Sequence, residues 1–416
     1  MKEIFVYADW HDLPSTQKMG VLRTERTRGQ EVFSFEYDST WLSSGRGQNI
    51  DPDLKLFTGP QYLADAKPNF GLFLDSSPDR WGRMLMKRRS AINARILKET
   101  PKPLLESDFL LGVNDETRMG ALRFKIEETG DFLESGEDIK APPFTSIREL
   151  EQASLKIESD DFFEDADAQK WLQLLMAPGS SLGGARPKAS VRHPDGSLWI
   201  AKFPSKSDDK DSGAWELLTN NMAKEIGIEV AEATACIYSH KQHTFLSKRF
   251  DRNNKNERIH FASAMTLLGY KDGHNHNDGG SYLELIDLIE LYGAEPTNDI
   301  RAMWKRIVFS VAVSNTDDHL RNHGFLLNAN GWKLAPAYDI NPNEGGSGLS
   351  LNISEDDNSL DFDLCLEVAD YFRWKEKEAS QFIAKTKKVV GTWKQKAKKL
   401  GISNAEQTMM TQAFRC

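Results

Sequence analysis

Three oxygen-bearing side chains in the second half of the chain have the types and spacing that phosphate chemistry uses. Asp317 and Asn322 lie five residues apart in the polar run SNTDDHLRNH, and Asp339 follows further along the chain. Two carboxylates and one amide oxygen suit a hard cation that keeps several of its waters and bridges phosphate oxygens. Aspartate and asparagine are also common in solvated loops, so the spacing alone does not decide between the two interpretations.

The segments around these residues predict rigid supports for them. Met303–Val313 is apolar on nearly every face, which indicates a buried helix. Two short apolar runs then flank Asn330-Gly331, a pair that is typical of a tight hairpin turn. We therefore expect a buried helix, a polar loop and a hairpin to hold the three side chains in place, as a preorganised site requires.

A second stretch, Pro178–Ser205, combines a loop of small residues with a strand that carries one lysine. Backbone amides in the loop can approach phosphates closely, although an ordinary glycine-rich turn is the simpler interpretation of the loop alone. The strand LWIAKF places Lys202 among apolar residues, where an ammonium group needs an anionic neighbour. Glu216 in the predicted helix Ser212–Ile226 is one candidate, and the alternative is an exposed Glu on an amphipathic helix. A strand Lys paired with a helix Glu beside nucleotide phosphates is the kinase arrangement.

Together these stretches resemble the HipA family, the serine/threonine kinase toxins of bacterial toxin–antitoxin pairs. The similar segments are GVNDETRMGALRF, SSLGGARPKA, WIAKFP, KRFDR, NTDDHLRNHGFLL and YDINP, in this order along nearly the whole chain. The resemblance implies an α+β, protein-kinase-like two-lobed fold with a small β-rich N-lobe, a helical C-lobe and an additional N-terminal α+β domain. The expected domains are residues 1–140, 141–252 and 253–416.

The resemblance also implies a role for each candidate residue. Asp317 is expected to be the catalytic residue, with Asn322 and Asp339 as magnesium ligands. The residues expected to bind ATP are Lys202, Ser181, Gly183, Gly184, Ala185, Lys188 and Glu216, and Ser181 is also the expected autophosphorylation site. Asp318 stands where many relatives carry glycine, and its effect on the loop or on a metal contact is left open.

Composition limits the remaining classes of function. The chain has 416 residues, a net charge of −9 and three scattered cysteines. The cysteine pattern predicts neither a disulfide framework nor a zinc site, and no apolar run is long enough to span a membrane, so we expect a cytoplasmic protein. The negative charge argues against direct DNA binding. Seven lysines between Lys385 and Lys399 form either a solvated helix face or a basic surface for an acidic partner or for DNA held by a partner.

We therefore expect an ATP- and Mg²⁺-dependent serine/threonine kinase whose substrate is a cellular protein, such as an aminoacyl-tRNA synthetase or another translation component. The expected partner is a small helix-turn-helix antitoxin of the HipB type, through which the chain meets DNA only indirectly. Two alternatives stay open. One is a kinase of small alcohols or lipids, and the other is a catalytically idle corepressor that acts only by binding the antitoxin.

Overall fold

The computed structural model describes residues 1–45, 48–63, 67–133, 135, 141–159, 161–179 and 184–416, without the side chains of 177–179. The chain forms two compact units. The first comprises Met1–Ser207 and Tyr238–Ala262, and the second comprises Asp208–Ile237 and Ser263–Cys416. The three-domain division expected from the sequence stays a prediction. Within the ranges just given, no helix is both long enough and apolar enough to cross a membrane.

The first unit opens with an antiparallel sheet of five strands. These are β1 (Lys2–Ala8), β2 (Gln17–Thr27), β3 (Gln30–Tyr37), β4 (Gln61–Tyr62) and β5 (Leu122–Lys125), in the spatial order β4-β3-β2-β1-β5. Four helices lie between these strands in the chain: α1 (Ser39–Ser43), α2 (Gly71–Asp75), α3 (Arg80–Leu97) and α4 (Glu106–Leu111). Ile4, Val6 and Ala8 alternate along β1 and are fully buried, as the sequence pattern predicts.

A second layer of the first unit combines helices with a hairpin. The chain continues through α5 (Ile147–Ile157), α6 (Ala168–Gly179), β6 (Lys188–Arg192) and β7 (Leu198–Lys202). It then enters the second unit with α7 (Ser212–Ile226) and β8 (Ala233–Cys236), and returns with β9 (Thr244–Lys248), which pairs antiparallel with β7. One hydrophobic core of the first unit joins α3, α5 and α6 to the β6–β7 hairpin and β9, and its members include Trp81, Leu85, Leu150, Leu172, Val191, Trp199 and Leu246.

The remainder of the second unit is largely helical. After β10 (Phe261–Ser263), its elements are α8 (Ala264–Leu267), α9 (Tyr282–Tyr292), α10 (Pro296–Val313), β11 (Gly324–Asn328), β12 (Gly331–Leu334), α11 (Phe362–Glu367), α12 (Glu376–Val390), α13 (Trp393–Lys399) and α14 (Asn404–Met409). Helix α10 packs against α9, α11 and α12. The predicted hairpin around Asn330-Gly331 is confirmed, because β11 and β12 pair antiparallel across these residues.

Helix α10 is the buried support that the sequence predicts. It begins with Pro296 in its first turn, where the missing N–H costs nothing, and Asp299 places a negative charge near the positive end of the helix. Trp304 and Ile307 are among its fully buried side chains. The Trp304 indole N–H donates to the Cys365 carbonyl over 2.8 Å, which satisfies a polar group that would otherwise be costly to bury.

Candidate active site

The polar loop begins where α10 ends in a left-handed turn. Ser314 has φ 49°, and the N–H of Asn315 donates to the Ser310 carbonyl over 2.8 Å. This pattern satisfies carbonyl groups in the last turn of the helix and redirects the chain sharply. Residues 315–323 therefore leave the end of a rigid, buried element in a fixed direction.

The five-residue spacing between Asp317 and Asn322 closes this loop on itself. The side-chain amide of Asn322 donates to the Asp317 carbonyl over 2.8 Å. The N–H of His319 donates to the same carbonyl over 3.0 Å, and the N–H of Asn322 donates to the His319 carbonyl over 2.8 Å. Because the amide nitrogen of Asn322 is used in this way, its side-chain oxygen is the atom that remains for a cation. The Asp317 side chain itself is exposed.

The segment carrying Asp339 is tied to the loop. Tyr338 donates its hydroxyl to the Arg321 carbonyl over 2.6 Å. The backbone N–H of Asn341 donates to the side-chain oxygen of Asn315 over 3.1 Å. Asn341 also donates from its side-chain amide to Asp339 Oδ1 over 3.0 Å, which orients that carboxylate. The structure therefore brings Asp317, Asn322 and Asp339 into one hydrogen-bonded cluster of two segments.

Asp339 adopts an uncommon backbone conformation. Its φ is 58°, in the left-handed region that non-glycine residues rarely occupy. Aspartate is one of the residues that tolerate this region, at a cost of about 1–2 kcal/mol. Such strain persists only where the surrounding structure enforces it, and it concentrates at functional sites. The strain at Asp339 thus supports a functional role for this carboxylate.

Asp318 has a different environment from its neighbour Asp317. Its carboxylate is buried and accepts hydrogen bonds from the Tyr282 hydroxyl over 2.7 Å and from the Ser310 hydroxyl over 3.1 Å. His323 Nε2 lies 3.3 Å from Asp318 Oδ1. This side chain therefore anchors the loop to α9 and α10.

The charge on Asp318 is stabilised despite its burial. Burial by itself raises the pKa of the Asp318 carboxyl, but the interaction with the neighbouring His323 and the hydrogen bonds from Tyr282 and Ser310 bring it below the usual value. Burial and the nearby Asp318 charge raise the pKa of the Tyr282 hydroxyl well above its usual value, so the hydroxyl remains a donor. The buried Arg306 guanidinium, whose pKa burial lowers to about 10, also feels the Asp318 charge.

The donor set of the cluster fits magnesium. Asp317, Asn322 and Asp339 offer oxygen atoms only, and a hard cation that retains waters and bridges phosphates needs no more protein ligands than this. Among the residues that the structure describes, no group of three or more His, Cys, Asp or Glu side chains could hold a metal ion.

The lysines expected at the phosphates lie in the first unit. Lys188 on β6 stands directly opposite Lys202 on β7 in the antiparallel register. Opposite positions place their side chains on one face of the sheet, so the side chains of Lys188 and Lys202 extend from the same face. Lys202 Nζ lies 5.8 Å from the centre of the Phe245 ring.

The described end of the small-residue loop is held against α3. The Gly184 amide donates to the Asp79 carboxylate, and the Trp81 indole N–H donates to the Lys188 carbonyl over 3.0 Å. Gly184 has φ 90°, and a Cβ there would lie 2.5 Å from Lys188 Nζ, so a larger residue would be strained and would meet the lysine. Ala185 follows and is exposed. The candidates Ser181 and Gly183 lie outside the described residues.

Glu216 is buried within α7, where nearly every side chain from Gly213 to Leu218 is shielded from solvent. An exposed Glu on an amphipathic helix is therefore the wrong interpretation of this position. Glu216 belongs to the second unit and Lys202 to the first, so their pairing stays a prediction.

Several residues that shape the cluster carry no signal in the sequence. Tyr282 and Ser310, which hold Asp318, belong to separate helices, and a lone Tyr or Ser in a helix is unremarkable. Asn343 donates its side-chain amide to the Thr316 hydroxyl over 2.7 Å and thereby adds another link between the two segments. The one available clue was the density of Asn residues after Asp339, since short amide side chains commonly bond to nearby backbone groups.

Comparison with known proteins identifies relatives of the chain. A Haemophilus influenzae protein named "Putative kinase" is 27% identical over 180 residues, which cover 39% of this chain and 52% of that protein. The chain thus spans about half of the length of that relative. "Putative kinase Y4mE" of Sinorhizobium fredii is 26% identical over 332 residues, which cover 74% of this chain and 71% of that protein.

The fold comparison extends over the whole chain. A chain from the Shewanella oneidensis MR-1 toxin–antitoxin complex of HipA, HipB and operator DNA matches with a TM-score of 0.66 at 16% identity, covering 99% of this chain and 94% of that chain. The expected α+β fold of the HipA kinase-like type is thereby confirmed. Residues 180–394, about half of the chain, match the family described as HipA-like C-terminal domain. The chain belongs to this family.

Proposed function

We propose that this chain is an ATP- and Mg²⁺-dependent protein serine/threonine kinase of the HipA toxin type. The observation that carries the proposal is the hydrogen-bonded cluster in the second unit. There the loop after α10 and the segment after β12 present Asp317, Asn322 and Asp339 together. The family match over residues 180–394 supports the same class of activity.

Each residue of the cluster has its own role in the proposed phosphoryl transfer. Asp317, exposed beside the fixed loop, orients the acceptor hydroxyl and accepts its proton. The side-chain oxygens of Asn322 and Asp339 are the atoms that would hold the cation. Mg²⁺, when bound, would neutralise the charge that develops on the transferring group. Asp318 positions Asp317 through its buried anchor to Tyr282 and Ser310.

The first unit supplies the nucleotide contacts in this proposal. Lys188 and Lys202, on one face of the β6–β7 hairpin, neutralise phosphate charge, and the backbone at Gly184 and Ala185 approaches the phosphates. The resemblance to HipA proteins supports Ser181 as the autophosphorylation site. A phosphate there would add about −1.5 to −2 charge, which would compete with ATP for the lysines.

The proposed partner is a helix-turn-helix antitoxin that carries the DNA contact. The net charge of −9 supports indirect DNA binding. Lys385 donates to the Ile226 carbonyl over 2.8 Å, and Lys396 bonds to the Glu225 carboxylate over 2.5 Å. These two lysines stabilise the second unit itself, which leaves fewer of the seven for a nucleic acid surface.

Incubation of the purified chain with Mg²⁺ and labelled ATP tests the enzyme proposal. We expect label on the chain itself and on proteins of a cell lysate, and none with the Asp317→Ala variant. Phosphoproteomics of cells that express either form would then identify the substrate. Transfer to small alcohols or lipids but to no protein would show a different kind of kinase. The absence of any transfer, with binding of an antitoxin retained, would show a corepressor.

A further inference from the structure

A buried hydroxyl of α7 contacts the segment that carries Asp339. Thr219 lies near the middle of α7 and is fully buried. Its Oγ1 lies 2.6 Å from the carbonyl oxygen of Ile340, which directly follows Asp339 in the chain. The two bonded residues are 121 positions apart, and both belong to the second unit. Helix α7 therefore holds the main chain right next to a candidate magnesium ligand.

The Thr219 hydroxyl has more acceptors within reach than it has protons. A threonine inside a helix commonly bonds to a carbonyl of the preceding turn, and the Trp215 and Glu216 carbonyl oxygens lie 3.2 and 3.0 Å away. A hydroxyl carries only one proton. The Ile340 carbonyl is the closest of the three acceptors, and its distance is near the value of about 2.7–2.8 Å that is usual for a hydroxyl donor. The proton is therefore donated to Ile340 and not kept within the helix.

The peptide group between Ile340 and Asn341 is held at both of its ends. Its carbonyl accepts from Thr219 on α7, and its N–H donates to Asn315 Oδ1 over 3.1 Å. Because a peptide group is planar and rigid, two bonds on opposite sides of it fix its orientation. Helix α7 and the loop after α10 thus clamp this single peptide group between them.

The orientation of this peptide group is passed on to the Asp339 carboxylate. Asn341, whose N–H is fixed, donates its side-chain amide to Asp339 Oδ1 over 3.0 Å. Before Asp339, the Ala337 N–H donates to the carbonyl of Glu229, just beyond the end of α7, over 2.8 Å. The left-handed φ of 58° at Asp339 lies between these two attachments, which enforce it.

Helix α7 is a firm base for this contact because both of its ends are capped. The Asp211 carboxylate accepts from the Ala214 N–H over 3.2 Å at the first turn. Gly227 ends the helix with φ 93°, a left-handed conformation that suits glycine, and its N–H donates to the Lys224 carbonyl over 3.1 Å. The buried hydroxyl in the middle of such a helix has a fixed position.

We propose that Thr219 is a positioning residue for the cation. Its hydroxyl acts through the Ile340–Asn341 peptide group and the Asn341 side chain to orient the Asp339 carboxylate. The inference rests on the proposed kinase function, in which Asp339 holds Mg²⁺, and adds a residue from a separate helix to that site. Because Thr219 is fully buried, it sets the affinity for the cation and takes no part in the transfer step.

Thr219→Val tests the inference, because it removes the hydroxyl and keeps a β-branched side chain. Calorimetry of the full chain measures ATP binding once with Mg²⁺ and once with EDTA. A group that bonds directly to a metal ligand is worth about 10- to 100-fold in metal affinity, and Thr219 is one step further away, so we expect about 3- to 10-fold weaker ATP binding in Mg²⁺. Binding in EDTA should be unchanged, whereas a merely structural role would affect both conditions alike.

Phosphoryl transfer provides a second measurement on the same variant. The Mg²⁺ concentration that gives half of the maximal rate should rise by the same factor as the ATP dissociation constant in Mg²⁺. At saturating Mg²⁺, kcat should return to that of the unchanged protein, because Asp317 and its loop keep their contacts.

Two further threonine variants separate the hydroxyl from general effects of packing. Thr219→Ser keeps the hydroxyl but loses a buried methyl group, so it should unfold at a lower temperature and still bind Mg²⁺–ATP like the unchanged protein. Thr386 on α12 is also fully buried, and its hydroxyl has no hydrogen-bond partner in the described part of the chain. Thr386→Val makes the matched chemical change and should leave the Mg²⁺ dependence unchanged.

Asn341→Ala tests the same path without altering the buried helix. Asn341 is only half-buried, so this variant decides the question even if Thr219→Val fails to fold. It should weaken ATP binding in Mg²⁺ and not in EDTA. Combined with Thr219→Val it should lose little more than either change alone, because both act through one carboxylate.

The outcomes separate this inference from the proposed function. Unchanged Mg²⁺ dependence in Thr219→Val or in Asn341→Ala would overturn the inference and leave the kinase intact. An equal shift in Thr386→Val or in Thr219→Ser would do the same, because the hydroxyl at Thr219 would then not be the cause. If the unchanged protein transfers no phosphate and binds ATP equally in Mg²⁺ and EDTA, the proposed function itself fails.

Discussion

The adjacent carboxylates Asp317 and Asp318 offer a way to separate activity from stability. The side chain of Asp318 is 7% exposed. Its carboxylate accepts hydrogen bonds from the Tyr282 hydroxyl over 2.7 Å and the Ser310 hydroxyl over 3.1 Å, and it lies 3.3 Å from His323 Nε2. Asp318→Ala leaves these buried groups without their acceptor and leaves the Arg306 charge less compensated. The loss of one member of a buried charged cluster costs about 3–5 kcal/mol.

Asp317→Ala is the matched change at the next residue. Because the Asp317 side chain is exposed, we expect its removal to alter the free energy of unfolding by only about 0.5 kcal/mol. Thermal unfolding of the purified proteins measures both effects. For a unit of this size each kcal/mol shifts Tm by about 2–4 °C, so Asp318→Ala should lower Tm by about 6–20 °C and Asp317→Ala by no more than about 2 °C. Phosphoryl transfer should be lost in Asp317→Ala although it remains folded.

The pH dependence of stability provides a second test of the Asp318 contacts. Since the pKa of Asp318 in the folded protein is lower than its ordinary value, its contribution to stability is complete at neutral pH. That contribution is lost as the pH falls through the folded-state pKa. Asp318→Asn, which keeps the shape of the side chain and an acceptor, should therefore lose less stability on acidification than the unchanged protein does.

A double-mutant cycle isolates one contact in the cluster. Tyr282→Phe and Asp318→Asn, alone and together, should show a coupling free energy of about 0.5–3 kcal/mol. The reasoning is refuted if Asp318→Ala lowers stability by less than about 1 kcal/mol, or if Asp317→Ala lowers it as much as Asp318→Ala does.

Four further outcomes are expected. Asp317→Asn should lower kcat by about 10²–10⁴-fold and retain ATP affinity. Asp339→Asn should instead weaken Mg²⁺–ATP binding, because a metal ligand is lost. Calorimetry measures the ATP affinity of both variants, and equal losses would show that the two roles are misassigned. Burial raises the pKa of Asp299 to about 6, so the unchanged protein should lose stability relative to Asp299→Asn as the pH rises from about 4 to 6. Urea unfolding at each pH measures the free energy of unfolding, and a constant difference between the two proteins over this interval would contradict the prediction. Mass spectrometry should find phosphate on Ser181 after incubation with Mg²⁺–ATP but not in Asp317→Ala, and phosphate elsewhere would reassign the site. The isolated chain should bind DNA weakly and with a steep salt dependence, and tight sequence-specific binding would rule out an indirect DNA contact.

The sequence by itself determined the local elements that support the site. The apolar pattern of Met303–Val313 and the Asn330-Gly331 turn each predicted an element that the structure confirms, as α10 and the β11–β12 hairpin. Helix Ser212–Ile226 has the limits expected from its pattern. Such elements are predictable because their signals are contained within a few turns of helix or a few residues of strand. The candidates Asp317 and Asn322 were chosen in the same way, from a spacing within one loop, and their roles stay a prediction.

Only the tertiary structure decided how residues of the same type differ. Asp317 and Asp318 are indistinguishable in sequence, yet one is exposed and the other is buried against Tyr282, which lies 36 residues away in the chain. Glu216 is buried in α7 together with its neighbours from Gly213 to Asn220, which the pattern of the helix itself does not reveal. One polar cleft of the second unit is lined by Asn275, Thr316 and Gly346, which come from three distant segments. Burial and shape depend on which segments pack together, and a pattern along a single segment carries no information about its distant neighbours.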